Sequence, residues 1–205
     1  MELKEALNGL KKQEKRKFEQ TVELIINLKG IDMKRDNVSA VIAVPHAIKK
    51  KKICAFLDKR SGLVDSITLP EFEKFKDKKS LKKLVKEYDF FIASAPLMPK
   101  VATVFGKILG PTGKMPSPQL GIMMTESEEN IKSLLEKINK SVKVRMKEAS
   151  IKVAVGKENM KEEDIAANIL ALYEGIANAL PKKKENVRNI MVKTTMGKPI
   201  KVELK

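Results

Sequence analysis

Two threonines next to a methionine and a glycine, in KTTMGKP (193–199), form the group in this chain best suited to grip a polar ligand. The hydroxyls of Thr194 and Thr195 can exchange hydrogen bonds with sugar or phosphate oxygens. Gly197 leaves room that a Cβ would take, and Met196 offers adaptable apolar contact to a sugar or base edge. The same residues serve equally well as a hairpin turn before a last strand, and from their types alone the two readings stand level. Other candidates for chemistry are poorer. The segment GPTGKMPSPQLG (110–121) suggests a phosphate loop, but that pattern needs glycine where Ile108 stands and Ser or Thr where Met115 stands. Pro111, Pro116 and Pro118 make it a stiff surface loop, better suited to contact or structure than to catalysis. His46 has no recognisable nucleophile beside it and reads as structural, while Cys54 sits in an apolar run and reads as a small buried hydrophobe. One histidine and one cysteine cannot build a zinc cluster, and no cofactor motif is present. The acidic residues are dispersed among lysines and give no catalytic carboxylate pair.

The chain has 205 residues and a formal charge of +16, with a sequence pI near 9.8. Such an excess of lysine and arginine points to a polyanion, because basic side chains displace the counterions condensed on phosphate. The runs KKKK (49–52) and KKK (182–184) read as solvated charge that steers without selecting. Trp is absent and only 7 Phe and 2 Tyr are present, which argues against stacking single-stranded bases and leaves folded RNA, read by backbone and shape. No apolar run approaches the ~18–20 residues of a membrane span, and the charged start lacks a signal-peptide core, so a cytoplasmic protein is expected.

The elements that must hold these residues follow from periodicity. Leu3, Ala6, Leu7 and Leu10 give an amphipathic helix ending near Lys17. FEQTVELIINL (18–28) alternates Val22, Leu24, Ile26 and Leu28 against Thr21, Glu23, Ile25 and Asn27, a strand with one buried face and one free for a partner. A turn from Gly30 to Asn37 leads to a strand over 38–45, closed by Pro45. From Lys49 the character changes. An apolar strand within 49–57, a helix over 80–88, a strand over 89–95 and a helix over 96–109 predict an open α/β sheet with crossover connections. Thr125 and Glu128 form a capping-box pattern before a helix over 129–140. Strands over 141–146 and 150–156, with a short turn at 147–149, predict a hairpin. Asn159 and Glu162 open a long helix stopped by Pro181, and two last strands cover 186–195 and 198–204.

Taken together, KFEQTVELIINL (17–28), DNVSAVIAVPH (36–46), GKILGPTGKMPSPQLG (106–121), VAVGK (153–157) and KTTMG (193–197) have the order and spacing of the universal ribosomal protein L1 family. This is the protein of the mobile stalk beside the exit site of the large subunit. The resemblance covers nearly the whole chain, and the lysine in GKMP with the short amino-terminal extension resembles the archaeal branch. It implies an α/β protein in which a discontinuous α+β RNA-binding domain, 1–47 and 140–205, carries an inserted Rossmann-like domain, 48–139. It further implies a non-enzymatic constituent of the ribosome without cofactors, monomeric when free. Such a protein binds stalk rRNA, assists release of deacylated exit-site tRNA and represses its own mRNA. The RNA-binding residues carried over by motif are Lys17, Phe18, Thr21 and Glu23 of KFEQTVE with Thr194, Thr195, Met196 and Gly197 of TTMG. The family usually has arginine where Thr112 stands, which leaves Lys114 as the second-domain candidate. The rival readings are a Rossmann-type nucleotide-binding enzyme, which lacks a phosphate fingerprint, and a general basic nucleic-acid-binding or chaperone protein, which does not account for TTMG.

Overall fold

A computed structural model describes residues 2–11, 17–32, 38–75, 77–118, 120–146 and 148–203. The first elements are α1 (Leu3–Lys11), β1 (Thr21–Leu28) and β2 (Ser39–Ala43). The middle of the chain forms β3 (Ile53–Phe56), β4 (Asp65–Ile67), a 3-10 segment (Leu69–Phe75), α2 (Lys78–Glu87), β5 (Phe90–Ser94), a 3-10 turn (Ala95–Leu97), α3 (Met98–Thr112), β6 (Ile122–Met123) and α4 (Glu128–Asn139). The remainder forms β7 (Ser141–Arg145), β8 (Ser150–Lys157), α5 (Glu162–Ala179), a 3-10 segment (Lys183–Asn186), β9 (Val187–Thr194) and β10 (Ile200–Val202). These elements gather into two compact units, residues 1–49 with 140–205 and residues 50–139. The class is α/β, with antiparallel and parallel sheets in one chain.

The first unit is built on an antiparallel sheet of order β10-β9-β1-β8. Val22, Leu24, Ile26 and Leu28 of β1 are buried while the alternate residues stay half-buried, as the period-two pattern demands. α5 packs on β8 and β2, and α1 packs on β9, β10 and α5. The core joins Leu24 and Ile26 to Ile165, Ile169, Leu172 and Ile176 of α5 and to Ala6, Leu7 and Leu10 of α1. Truncating a fully buried leucine such as Leu24 or Leu172 costs about 2–5 kcal/mol. The opening helix is described over Leu3–Lys11 and Lys17 lies in a bend, and the stretch 12–16 on which the expected end near Lys17 depends lies outside the described residues. One expectation fails here: the two strands after residue 140 are not a hairpin. β7 pairs with β2, from Ser39 opposite Arg145 to Ala43 opposite Ser141, whereas β8 pairs with β1. Alternation fixes which face of a strand is buried and leaves its neighbour open. The expected turns at 30–37 and 147–149 fall partly outside the described residues.

The second unit has a parallel sheet of order β4-β3-β5-β6. β3 and β5 are buried at every position, the signature of a strand covered on both faces. Phe105 lies at the centre of an aromatic cluster, 4.8 Å from Phe56, 5.1 Å from Phe72 and 6.0 Å from Phe75 between ring centroids. The expected loop 110–121 begins later than its prolines suggest, because α3 continues through Pro111 to Thr112. Gly113, at φ 71°, then takes the left-handed position, its N–H donating to Gly110 O while Lys114 N–H donates to Leu109 O. That pair of bonds closes the helix as a Schellman motif, which glycine alone adopts without strain. α4 is capped by Ser127 and not by the expected Thr125. Asn130 N–H donates to Ser127 Oγ, and Thr125 O accepts from the Asn130 side chain.

Candidate nucleic-acid interface

β1 and β9 run antiparallel with Val22 opposite Thr194, so KFEQTVE and TTMG, some 170 residues apart in sequence, meet at one end of one strand pair. β9 ends at Thr194, and Thr195 and Met196 form the tip of a turn closed by Gly197 N–H donating to Thr194 O, 3.0 Å. The Thr195 hydroxyl accepts from Thr21 N–H at 3.1 Å and donates to Thr21 O at 3.3 Å. It thereby continues the ladder one residue past the strand and ties the turn to β1.

On the other side of the same entry segment, Lys157 and Asn159 at the end of β8 hold Glu19 through an ion pair and a 3.0 Å hydrogen bond. The β1–β8 register shifts between Val22 and Glu23, where Gly156 stands opposite Val22. A Cβ on Gly156 would come within 2.9 Å of Ile165 Cγ1, so glycine there lets α5 seat directly on the strand. Residues 17–21 are thus held between two turns, one from each neighbouring strand.

The residues expected from the sequence divide in this setting. Lys17 is exposed, Phe18 is 52% exposed and Met196 is 64% exposed, so a cation, an aromatic ring and a thioether stand open at the same end of the sheet. Thr21 and Glu23 lie on the outward face, with Glu23 opposite Lys193. Thr195 is exposed but its hydroxyl is already engaged with Thr21. Thr194 is a correction to the reading of both hydroxyls as ligand contacts. Its side chain is buried and lines a cavity of about 20 Å³ with Leu7, Leu10, Val22 and Ile165. Its Oγ1 has no partner among the described residues, in a space sized for about one water. Thr194 falls in the buried phase of β9 with Ile190 and Val192, so a ligand on the outward face meets only its backbone.

Lys114 is a second correction. Its ammonium donates to Val85 O at 2.6 Å and Tyr88 O at 2.7 Å, neutralising the carbonyl end of α2. The charge serves the second unit's own helix. Thr112 likewise turns its hydroxyl back onto Ile108 O and Leu109 O, each at 3.0 Å.

Further polar and basic residues lie on this face beside those carried over by motif. Asn27 donates to Asn189 Oδ1 at 2.7 Å across the β1–β9 pair. Lys152 and Lys201 stand exposed on flanking strands, opposite Ile25 and Met191 respectively. The period-two pattern puts Asn27 of β1 and Asn189 of β9 on the same face as Thr21 and Glu23.

Outside this face, His46, Cys54 and Glu126 are each tied into structure. His46 N–H donates to Asn168 Oδ1, Asn168 Nδ2 donates back to His46 O, and His46 Nε2 lies 3.5 Å from Asp164. The Cys54 thiol is pushed up to about 12, first by burial and then by the charges of Asp65 and Glu87, which keeps it protonated and unreactive. Beyond the carboxyl end of β3, where open α/β sheets receive ligands, Asp58 N–H donates to the Glu126 carboxylate at 3.1 and 3.2 Å. Among the described residues, no helix is long and apolar enough to cross a membrane.

Fold and surface define a basic α/β protein of two units, with an open sheet face and a braced turn at one end of it. Residues 10–198 match the ribosomal protein L1p/L10e family, and the chain belongs to that family. The large ribosomal subunit protein uL1 of Pyrobaculum calidifontis is 37% identical, the match covering 98% of this chain and 92% of the relative. That of Pyrococcus horikoshii is 38% identical over 92% of this chain and 89% of the relative. That of Thermococcus kodakarensis is 36% identical over 98% and 96%. These archaeal relatives agree with the archaeal character expected from GKMP.

Proposed function

We propose that this ribosomal protein is a non-enzymatic constituent of the large subunit. Its 1–47 and 140–205 part binds rRNA of the mobile stalk, and the inserted 48–139 part is a Rossmann-like body without a nucleotide. The observation that carries the reading is the union of KFEQTVE and TTMG at one end of the β1–β9 pair, sealed by the Thr195–Thr21 bonds. Lys17 supplies a phosphate contact, Met196 and Phe18 apolar contact to sugar or base, and Gly197 a close approach. Glu23 accepts from ribose hydroxyls or base amino groups, a contact that separates RNA from DNA. The lysines on the flanking strands supply affinity independent of sequence. On the ribosome the same protein assists release of deacylated tRNA from the exit site. Off the ribosome it is a cytoplasmic monomer that represses its own mRNA through a structure resembling the rRNA site.

The test is binding to a stalk-region rRNA fragment against a duplex of equal length, titrated with salt. Preference for the fragment that persists as salt rises supports the reading. Equal binding that decays with one common salt slope would leave only a general basic protein.

A further inference from the structure

The even positions of β1 bury apolar side chains, and the residue that extends this row one step before the strand is Gln20, only 4% exposed. A glutamine in a buried row calls for a specific partner. Its backbone N–H donates to Glu158 Oε2 at 3.4 Å, and its carbonyl accepts from Glu158 N–H at 2.9 Å. Its side-chain Oε1 accepts from Met196 N–H at 3.2 Å. The Thr194–Gly197 bond closes the base of that turn and the Thr195 hydroxyl ties its first tip residue, so the Gln20 bond fixes its second.

We propose that Gln20 is a positioning residue of the RNA interface, an inference that rests on the RNA-binding reading above. From beneath the surface it holds the Met196 backbone in the geometry that presents the exposed Met196 side chain, and it does not itself touch RNA. Pre-fixing the turn removes an ordering cost that RNA would otherwise meet on binding. The residue type follows from the surroundings. An aliphatic chain would fill the volume and orphan the Met196 N–H. A carboxylate would keep the acceptor but add a negative charge to a residue whose backbone already donates to Glu158 and which follows Glu19 in sequence. A neutral amide oxygen of this reach meets both demands.

The experiment compares wild type, Gln20→Met and Gln20→Glu in the full chain. Gln20→Met keeps length and removes the acceptor, while Gln20→Glu keeps the acceptor. Affinities are measured for the stalk-region rRNA fragment and for a duplex across a salt series, with hydrogen exchange of the Met196 amide as a local readout. Gln20→Met is expected to weaken fragment binding about tenfold, on the scale of one hydrogen bond, leave duplex binding and the salt slope unchanged, and speed Met196 exchange. Gln20→Glu is expected to recover part of the fragment affinity and slow that exchange again. Wild-type fragment affinity in Gln20→Met, or an equal loss on fragment and duplex, would overturn the positioning role alone. A wild-type chain without preference for the fragment would overturn the RNA reading itself, and the positioning role with it.

Discussion

Thr195 spends its hydroxyl on the protein, and that decides what its loss does. Thr195→Val removes both bonds to Thr21 while nearly preserving shape, so the turn loosens from β1. Because the bonds are exposed, water partly replaces them, and affinity for the stalk fragment should fall by about 1–2 kcal/mol with duplex binding unchanged in the same salt titration. Cys54 gives a second residue-level expectation. Its folded pKa is raised from the ordinary 9.0 to about 12, so the folded state keeps a proton that the unfolded chain gives up earlier. The resulting stability is complete below about pH 9 and declines as pH rises towards 12. Denaturant midpoints measured through that range should fall, and a thiol reagent at neutral pH should label Cys54 only after unfolding. At this scale the sequence was partly legible. Alternation placed Thr21 and Glu23 outward correctly; carried one residue back along β1 it assigns Gln20 to the inside, and the alternation of β9 through Ile190 and Val192 does the same for Thr194. Lys114 was beyond reach of that method, because its partners, the last carbonyls of α2, become neighbours only through the packing of two helices.

Among the elements, identical substitutions should have opposite signs. In α5, a Cβ on Gly175 would lie 2.6 Å from Ile42 Cγ2 and 2.9 Å from Ile42 Cγ1, in a tightly packed helix–strand contact. Gly175→Ala gains about 1 kcal/mol of helix propensity but forces the buried Ile42 side chain and β2 apart, so a net loss of about 1–3 kcal/mol is expected. In α3, a Cβ on Gly106 meets nothing within 4 Å, and Gly106→Ala should stabilise by about 0.5–1 kcal/mol. Chemical denaturation of both variants checks the pair. The strong periodicities of β1 and α5 announced those elements in the sequence. β4 has three residues and β6 two, too few for any period to register. Pro111 gave a misleading stop signal: its missing N–H is tolerated in the last turn of α3, where Thr112 and Gly113 take up the terminal carbonyls.

For the whole molecule, the two units have separate cores, one aliphatic and one centred on phenylalanines. Phe105→Ala should cost about 3–5 kcal/mol and raise hydrogen exchange throughout 50–139, while affinity for the stalk fragment stays at the wild-type value. The charge of +16 is likewise spread over the chain. Lys182 lies next to the Val187 end of β9, away from the Thr194 end that bears the TTMG turn, so Lys182→Ala should leave the salt slope of fragment binding unchanged. The division of the chain has a further bearing on synthesis. Val44 N–H donates to Lys140 O, and Lys51 N–H donates to Asn139 Oδ1, so the two cut ends of each unit lie side by side. A nascent chain therefore completes the inserted unit first, whereas β1 must wait for β8 and β9 before it can bury Leu24 and Ile26. At ~5–20 residues per second that interval is on the order of ten seconds. Throughout it an apolar strand edge stands open, which makes the host unit, and not the insertion, the part of a new chain that most needs shelter.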